Sequence, residues 1–307
     1  MVRRLGIHAS QLARLREWKH LRYAVVPSQV RTMGQYDAEQ IDVITRVLRD
    51  ASPIETAASK LGLPVYATEQ LVFAGLLNHE EHEAALVIGR DRTVRNASLR
   101  RLLADISAAM TRTDAPTSAI PLRVAARRFG GGAKPWGAMI VGVLAGYLTL
   151  WSPDDTGDLL TALVDGQELA AVVASTRPHP PFGSLQPSTS MSQRDAAEML
   201  NSDWKTFTRL AGEVCLPTVR NGCCLAVDRA TVEKLATSFS SALEVQLHVG
   251  GTVQEIRRIV ADLRITPIGP GWNRAELRRA GLLPSCWMKN RPDKDDGAAS
   301  AFQTDQT

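Results

Sequence analysis

The sequence predicts a mainly α protein, built as tandem helix-turn-helix units that each carry a small β-hairpin. Three observations predict it. Short amphipathic helices come in pairs, joined by tight polar or glycine turns. In the first and central units the pair is followed by two short β-prone runs. Third-helix starts at Tyr36, Val94, Val164 and Val227 then recur about every sixty to seventy residues. A fixed order at a fixed spacing is the mark of one supersecondary unit repeated as an array.

The clearest unit is Ser190 to Phe239. Ser190 or Ser192 ahead of Asp195 is a helix-capping pattern, and Ala196, Ala197 and Leu200 supply the apolar face of a short first helix. Asn201-Ser202-Asp203 is a turn, because its side-chain oxygens compete for backbone N–H groups. A second helix follows with Phe207, Leu210 and Val214 on one face, and Pro217 ends it. Val219 to Cys224 forms two β-prone runs around Asn221-Gly222, a hairpin signal. Asp228 is placed to cap a third helix.

From the N-terminus, Leu5-Gly6-Ile7 reads as a helix end and turn, followed by a helix over Gln11–Trp18. Tyr23–Pro27 and Val30–Met33 form a hairpin, and Asp37 caps a third helix. The first helix of this unit is nearly missing, so the chain is expected to begin inside a repeat, as a truncated or separately encoded piece. The second unit opens at Ser52-Pro53, turns at Leu61-Gly62-Leu63 and has a second helix over Thr68–Leu77. The third has Ile120-Pro121-Leu122, a turn loosened into Gly130-Gly131-Gly132, and a second helix over Trp136–Tyr147. Pro, Gly and Ser then dominate a linker. The expected division is 1–50 (partial unit), 51–115, 116–176 (apolar and structural), linker 177–189, 190–250, a degenerate last unit 251–288, and a disordered tail 289–307.

Composition narrows the function classes. With 44% hydrophobic and 22% charged residues, the chain has the make-up of a folded protein. A net charge of +4 favours an anionic partner weakly, so local charge must decide. The four cysteines, Cys215, Cys223, Cys224 and Cys286, form no C-x-x-C pair, which argues against a zinc module. No signal peptide opens the chain, and the longest uncharged apolar run, Trp136 to Trp151, is shorter than a membrane span. A cytoplasmic protein with no membrane contact is expected. Asn78-His79-Glu80-Glu81-His82 lacks metalloprotease spacing and reads as an exposed loop. Gly130-Gly131-Gly132-Ala133-Lys134 lacks the Ser or Thr of a phosphate loop and reads as a flexible turn. Arg177-Pro178-His179-Pro180-Pro181 reads as a stiff linker. No catalytic constellation stands out, so neither an enzyme nor a cofactor is expected.

Helix, turn, helix, hairpin, helix is the winged helix-turn-helix plan. The order A-A-x-x-L, turn, T-x-x-R-L, hairpin, D-R-x-x-V in residues 196–232 resembles the MerR/excisionase type. That resemblance implies that the second helix reads DNA and the hairpin, or wing, touches phosphate. An array of such units is similar to the C-terminal region of TniQ-family proteins, which select target sites for transposons. In that family zinc-binding cysteine pairs precede the array; this sequence has none. The resemblance implies double-stranded DNA and a transposase or other transposition protein as partners.

A helix that reads DNA needs polar or basic residues on its exposed face. The first unit offers Gln11, Arg14, Arg16 and Lys19. The central unit offers Lys205, Thr206 and Arg209, with Arg220 at the wing tip. The last offers Arg274 and Arg278. The second helices of the second and third units are too apolar for a groove and are expected to pack against each other or a partner. Leu12, Leu15 and Trp18 form an apolar face lacking the helix that should cover it. Sequence-specific DNA binding by several units follows, each weak alone and strengthened by linkage. A transcriptional regulator and a protein-interaction scaffold without DNA contact are the rival readings.

Overall fold

The computed structural model describes residues 2–26, 33–90, 92–111, 114–152, 158–176, 185–221 and 224–284. The described chain is mainly helical, with small sheets that are antiparallel except for one parallel pair. Five successive groups of elements each run from a helix pair through one or two short strands to a further helix, with an extra short helix in the second.

The first group is α1 (Val2–Leu5), α2 (Ala9–Glu17), β1 (Tyr23–Val26), β2 (Met33–Tyr36) and α3 (Ala38–Asp50). The second is β3 (Ala51–Pro53), α4 (Ile54–Leu61), α5 (Val65–Phe73), α6 (Glu83–Val87), β4 (Thr93–Arg95) and α7 (Asn96–Ala109). The third is β5 (Met110–Thr111), β6 (Ile120–Pro121), α8 (Leu122–Ala126), α9 (Trp136–Leu144), β7 (Leu150–Trp151), β8 (Leu163–Val164) and α10 (Gly166–Ser175). The fourth is β9 (Ser190–Ser192), α11 (Gln193–Met199), α12 (Trp204–Glu213), β10 (Thr218–Asn221), β11 (Cys224–Asp228) and α13 (Arg229–Ser238). The fifth is β12 (Phe239–Ser240), α14 (Ala242–Val249), α15 (Val253–Asp262), β13 (Pro267–Ile268), β14 (Gly271–Asn273) and α16 (Arg274–Arg279).

In groups two to five, the short strand ahead of the first helix pairs with the strand that leads into the third helix. Ser52 lies opposite Val94, Ile120 opposite Val164, Met191 opposite Val227, and Phe239 opposite Asn273. Each pairing closes a group on itself. Asp37, Asp165, Asp228 and Asn273 cap third helices by accepting backbone N–H groups of the first turn. These caps satisfy donors that have no partner inside a helix.

Several sequence boundaries move. The last group is complete, not degenerate, and it starts at Phe239 instead of 251. Helix α14, assigned to the central unit by sequence, is its first helix. The third group's sheet begins at Met110, ahead of the expected 116. The last residues of the expected linker are packed: Leu185 is buried, the Gln186 carbonyl accepts from Arg92, and the Ser188 N–H donates to Glu69. Residues 177–184 and the expected tail lie outside the described residues.

One apolar core runs through groups two, three and four, and a smaller core serves the fifth. The first group's core takes in Ala84 and Ile88, contributed by α6 and its C-terminal flank. The expected gap over Leu12 and Leu15 is thereby filled, since both are buried, whereas Trp18 is 66% exposed. Buried ion pairs join the groups. Glu69, 1% exposed, accepts from Arg92 at 2.5 Å and from Arg229 at 2.5 Å. Lys134 is fully buried, 2.9 Å from the Glu198 carboxylate that also accepts from the Tyr66 hydroxyl. Burial pulls the Lys134 ammonium below its ordinary pKa, against the opposing pull of Glu198.

The glycine-rich stretch is therefore a packed junction instead of a flexible turn. A Cβ on Gly130 would lie 1.7 Å from Glu244 Oε1, so the fifth group approaches where only glycine fits. The His79–His82 stretch is not simply exposed either. Glu80 is 4% exposed and pairs with Arg95, and His82 Nδ1 accepts from the Ala84 N–H at the start of α6.

Candidate nucleic-acid interface

The second helix of each group is its candidate reading element, and the five divide sharply by environment. Helices α5 and α9 pack on each other. Gln70 on α5 accepts from the Gly137 N–H at 2.9 Å and donates to the Lys134 carbonyl at 2.9 Å. A Cβ on Gly137 would sit 3.1 Å from Gln70 Cβ, and one on Gly142 would sit 2.4 Å from Val172 Cγ1. Both glycines allow α9 to be enclosed. These two helices have no face left for a ligand the width of a duplex.

Helices α2, α12 and α15 are different. Each buries one apolar row: Leu12 and Leu15, Phe207 and Leu210, Ile256 and Val260. Each exposes basic residues elsewhere: Arg14 and Arg16, Lys205 and Arg209, Arg257 and Arg258. A helix with one buried stripe and a charged outer face lies at a surface.

The sequence candidates fall into distinct surroundings. Gln11 is tied into the scaffold, donating to the Ile88 carbonyl at 2.8 Å and accepting from the His8 N–H at 2.9 Å. Arg14 is exposed. Arg16 lies 3.7 Å above the centroid of the Tyr23 ring. Lys19 is exposed at a positive φ of 59°, just past the end of α2. Lys205 is exposed in the first turn of α12. Thr206 is committed to the cap of that helix: its N–H donates to Asp203 Oδ1 and its hydroxyl to Oδ2, each at 2.9 Å. The Thr206 N–H, ahead of other bonds, holds the Asp203 carboxyl below its ordinary pKa. Arg209 pairs with Glu213 at 2.6 Å with 66% of its side chain exposed, so the pair is a weak, exchangeable one. The Arg220 backbone lies in β10 opposite Leu225, while its side chain lies outside the described residues.

Arg274 is withdrawn from the candidates. It is 3% exposed and begins the third helix of the last group, not the second. Its guanidinium makes two bonds to Glu244, at 2.5 and 2.6 Å, and donates to the carbonyls of Ala236 and Phe239. All of its reach is directed inward. Arg278, on the same helix, is half-buried, and its Nε is buried without a hydrogen-bond partner. A side chain placed so is a poor groove reader.

The residues that take their place are Arg257 and Arg258 on α15, inside the expected last unit but not among its sequence candidates. A signal was present. Ser241-x-x-Glu244 is a helix-start pattern, and Ser241 does cap α14 by accepting the Glu244 N–H. Reading it moves every later helix of that group by one place. Exposed aromatic residues flank two of the basic faces: Trp18 ends α2, and Trp204, 56% exposed, opens α12. Among the described residues, no helix is long and apolar enough to cross a membrane, and no cluster of His, Cys, Asp and Glu has metal-binding geometry. Comparison of the chain with protein-family models, with curated proteins and with solved structures finds no match.

Proposed function

We propose that the protein is a non-enzymatic, cytoplasmic binder of double-stranded DNA, built of winged helix-turn-helix units and touching one duplex through α2, α12 and α15. The observation that supports this reading most is the division of the second helices. Those with basic outer faces are exposed, and those without are enclosed. A scaffold that had lost DNA contact would have no reason to keep that correlation. The contacts offered are Arg14, Arg16 and Lys19 in the first unit, Lys205, Arg209 and Arg220 in the fourth, and Arg257 and Arg258 in the fifth. The second and third units hold the others in place. By resemblance to TniQ-family arrays, the setting is target-site selection in transposition, with a transposase as protein partner.

The test is a salt titration of binding to random and selected duplexes. Phosphate contacts release counterions, so the logarithm of affinity must fall linearly with that of salt, by about 0.9 per contact. Arg257→Ala with Arg258→Ala should lower that slope by about two. A flat salt response would refute DNA binding and favour the protein-interaction scaffold. Sequencing of DNA bound in cells separates the other two settings: sites beside transposase genes support transposition, and sites at promoters support a transcriptional regulator.

A further inference from the structure

We infer that Tyr23 is a positioning residue that holds Arg16 as a preset phosphate contact of the first unit; this rests on the duplex-binding reading above. Three side chains from three places lie in a row, the two tyrosine rings tilted at 46° to each other. Tyr36, at the end of β2, lies with its ring centroid 5.1 Å from that of Tyr23 on β1. Tyr23 in turn carries the Arg16 guanidinium at 3.7 Å. Tyr23 and Tyr36 face each other directly in the hairpin register, so the backbone ladder itself fixes the tyrosine pair.

A guanidinium held over a ring face by cation–π attraction loses side-chain freedom and keeps its N–H donors unspent. Among the described residues, no carboxylate pairs with Arg16, in contrast to Arg209 with Glu213 and Arg274 with Glu244. Arg16 therefore has a restricted orientation and unspent donors. It lines an open groove with Lys19, Arg22 and Tyr23, in which Glu17 is the acidic member. Arg22 reaches Asp37 at 4.0 Å, a weak exposed pair, so cations still outnumber carboxylates at the groove and suit a polyanion. Arg16 lies in the last turn of α2, beside the hairpin, where these units touch the backbone; base edges meet the start of the second helix. The ligand group is accordingly a backbone phosphodiester, and the role is independent of base sequence.

The test uses the full chain and compares Arg16→Ala, Arg16→Lys, Tyr23→Ala and Tyr23→Phe on selected and scrambled duplexes at several salt concentrations. Arg16→Ala should reduce the salt slope by about one. Tyr23→Ala carries no charge change, so it should weaken both duplexes about two- to fivefold while leaving the slope unchanged. Arg16→Lys keeps the charge and loses the guanidinium over the ring, so it should resemble Tyr23→Ala. Tyr23→Phe keeps the ring and should bind as the parent does. Parent-like binding by Tyr23→Ala, or a loss of slope in it equal to that of Arg16→Ala, overturns the positioning role. A parent protein without salt-dependent duplex binding instead overturns the functional reading itself, which the same titration shows separately.

Discussion

Replacing Arg274 by methionine separates a structural arginine from a DNA-binding one. The substitution keeps much of the stem volume and removes the charge. It leaves the Glu244 carboxylate, 1% exposed, with neither of its bonds to the guanidinium, and it strips donors from the carbonyls of Ala236 and Phe239. Breaking a buried pair by removing one partner costs about 3–5 kcal/mol, because the remaining charge stays desolvated. Arg274→Met should therefore lose about 4 kcal/mol in urea unfolding. Hydrogen exchange should report the loss at the amides of β12 and α14, which the arginine clamps to α16. Adding Glu244→Leu removes the stranded charge, and the double variant should recover all but about 1–2 kcal/mol, the residue of the two unserved carbonyls. Under conditions where the single variant remains folded, its DNA salt slope should equal that of the parent. A loss below about 1 kcal/mol, or a reduced slope at unchanged stability, would refute the buried-clamp reasoning and return Arg274 to the DNA contacts.

Three further outcomes are expected. Arg209→Ala should cost about 1–3 kcal/mol on a selected site and relax its sequence preference, whereas Arg220→Ala should weaken all duplexes alike and lower the salt slope by about one; unchanged affinity in both would remove the fourth unit as a DNA reader. Gly130→Ala should destabilise the protein by about 1–3 kcal/mol, read from its urea midpoint, because the added Cβ meets Glu244 Oε1 at 1.7 Å and the buried pair behind it has little room to retreat. Burial, more than the neighbouring Arg128 and Arg274, lowers the pKa of His248 despite the opposing pull of Glu244, so the folded protein protonates it later than the unfolded chain does. Its contribution is complete above the ordinary pKa of 6.5 and is lost as pH falls from there through the folded value. His248→Gln should flatten the pH dependence of unfolding in that window, and an unaltered profile would count against it.

What could be read from the sequence was local. Asp37, Asp165 and Asp228 announce third helices because a cap and the turn it serves are neighbours in the chain. The apolar run of α9 announces burial by itself. What could not be read depends on partners far away. Phe239-Ser240 is a strand only because Asn273 and Trp272 pair with it, so the start of the last group carried no periodic signal. Arg274 and Arg257 are alike in type and in amphipathic setting; Glu244, thirty residues from Arg274, decides that one is buried. Lys134 follows three glycines and looks exposed, yet Glu198, sixty-four residues on, draws it inside. The cover over Leu15 comes from a five-residue helix, α6, too short for a periodicity argument.

At three joints a third helix passes into the next group's first strand with no residue between: Asp50 to Ala51, Ala109 to Met110, and Ser238 to Phe239. Such a joint works as a keyed shaft. One residue inserted in α13 would advance everything beyond it by about 1.5 Å and turn it by about 100°. It would carry Glu244 away from Gly130 and aim α15 at a different side of the particle. Length can be changed at the hairpin tips without that penalty. Any engineered lengthening of the array must therefore copy whole groups, cut at these joints, and cannot be achieved by stretching the helices that connect them.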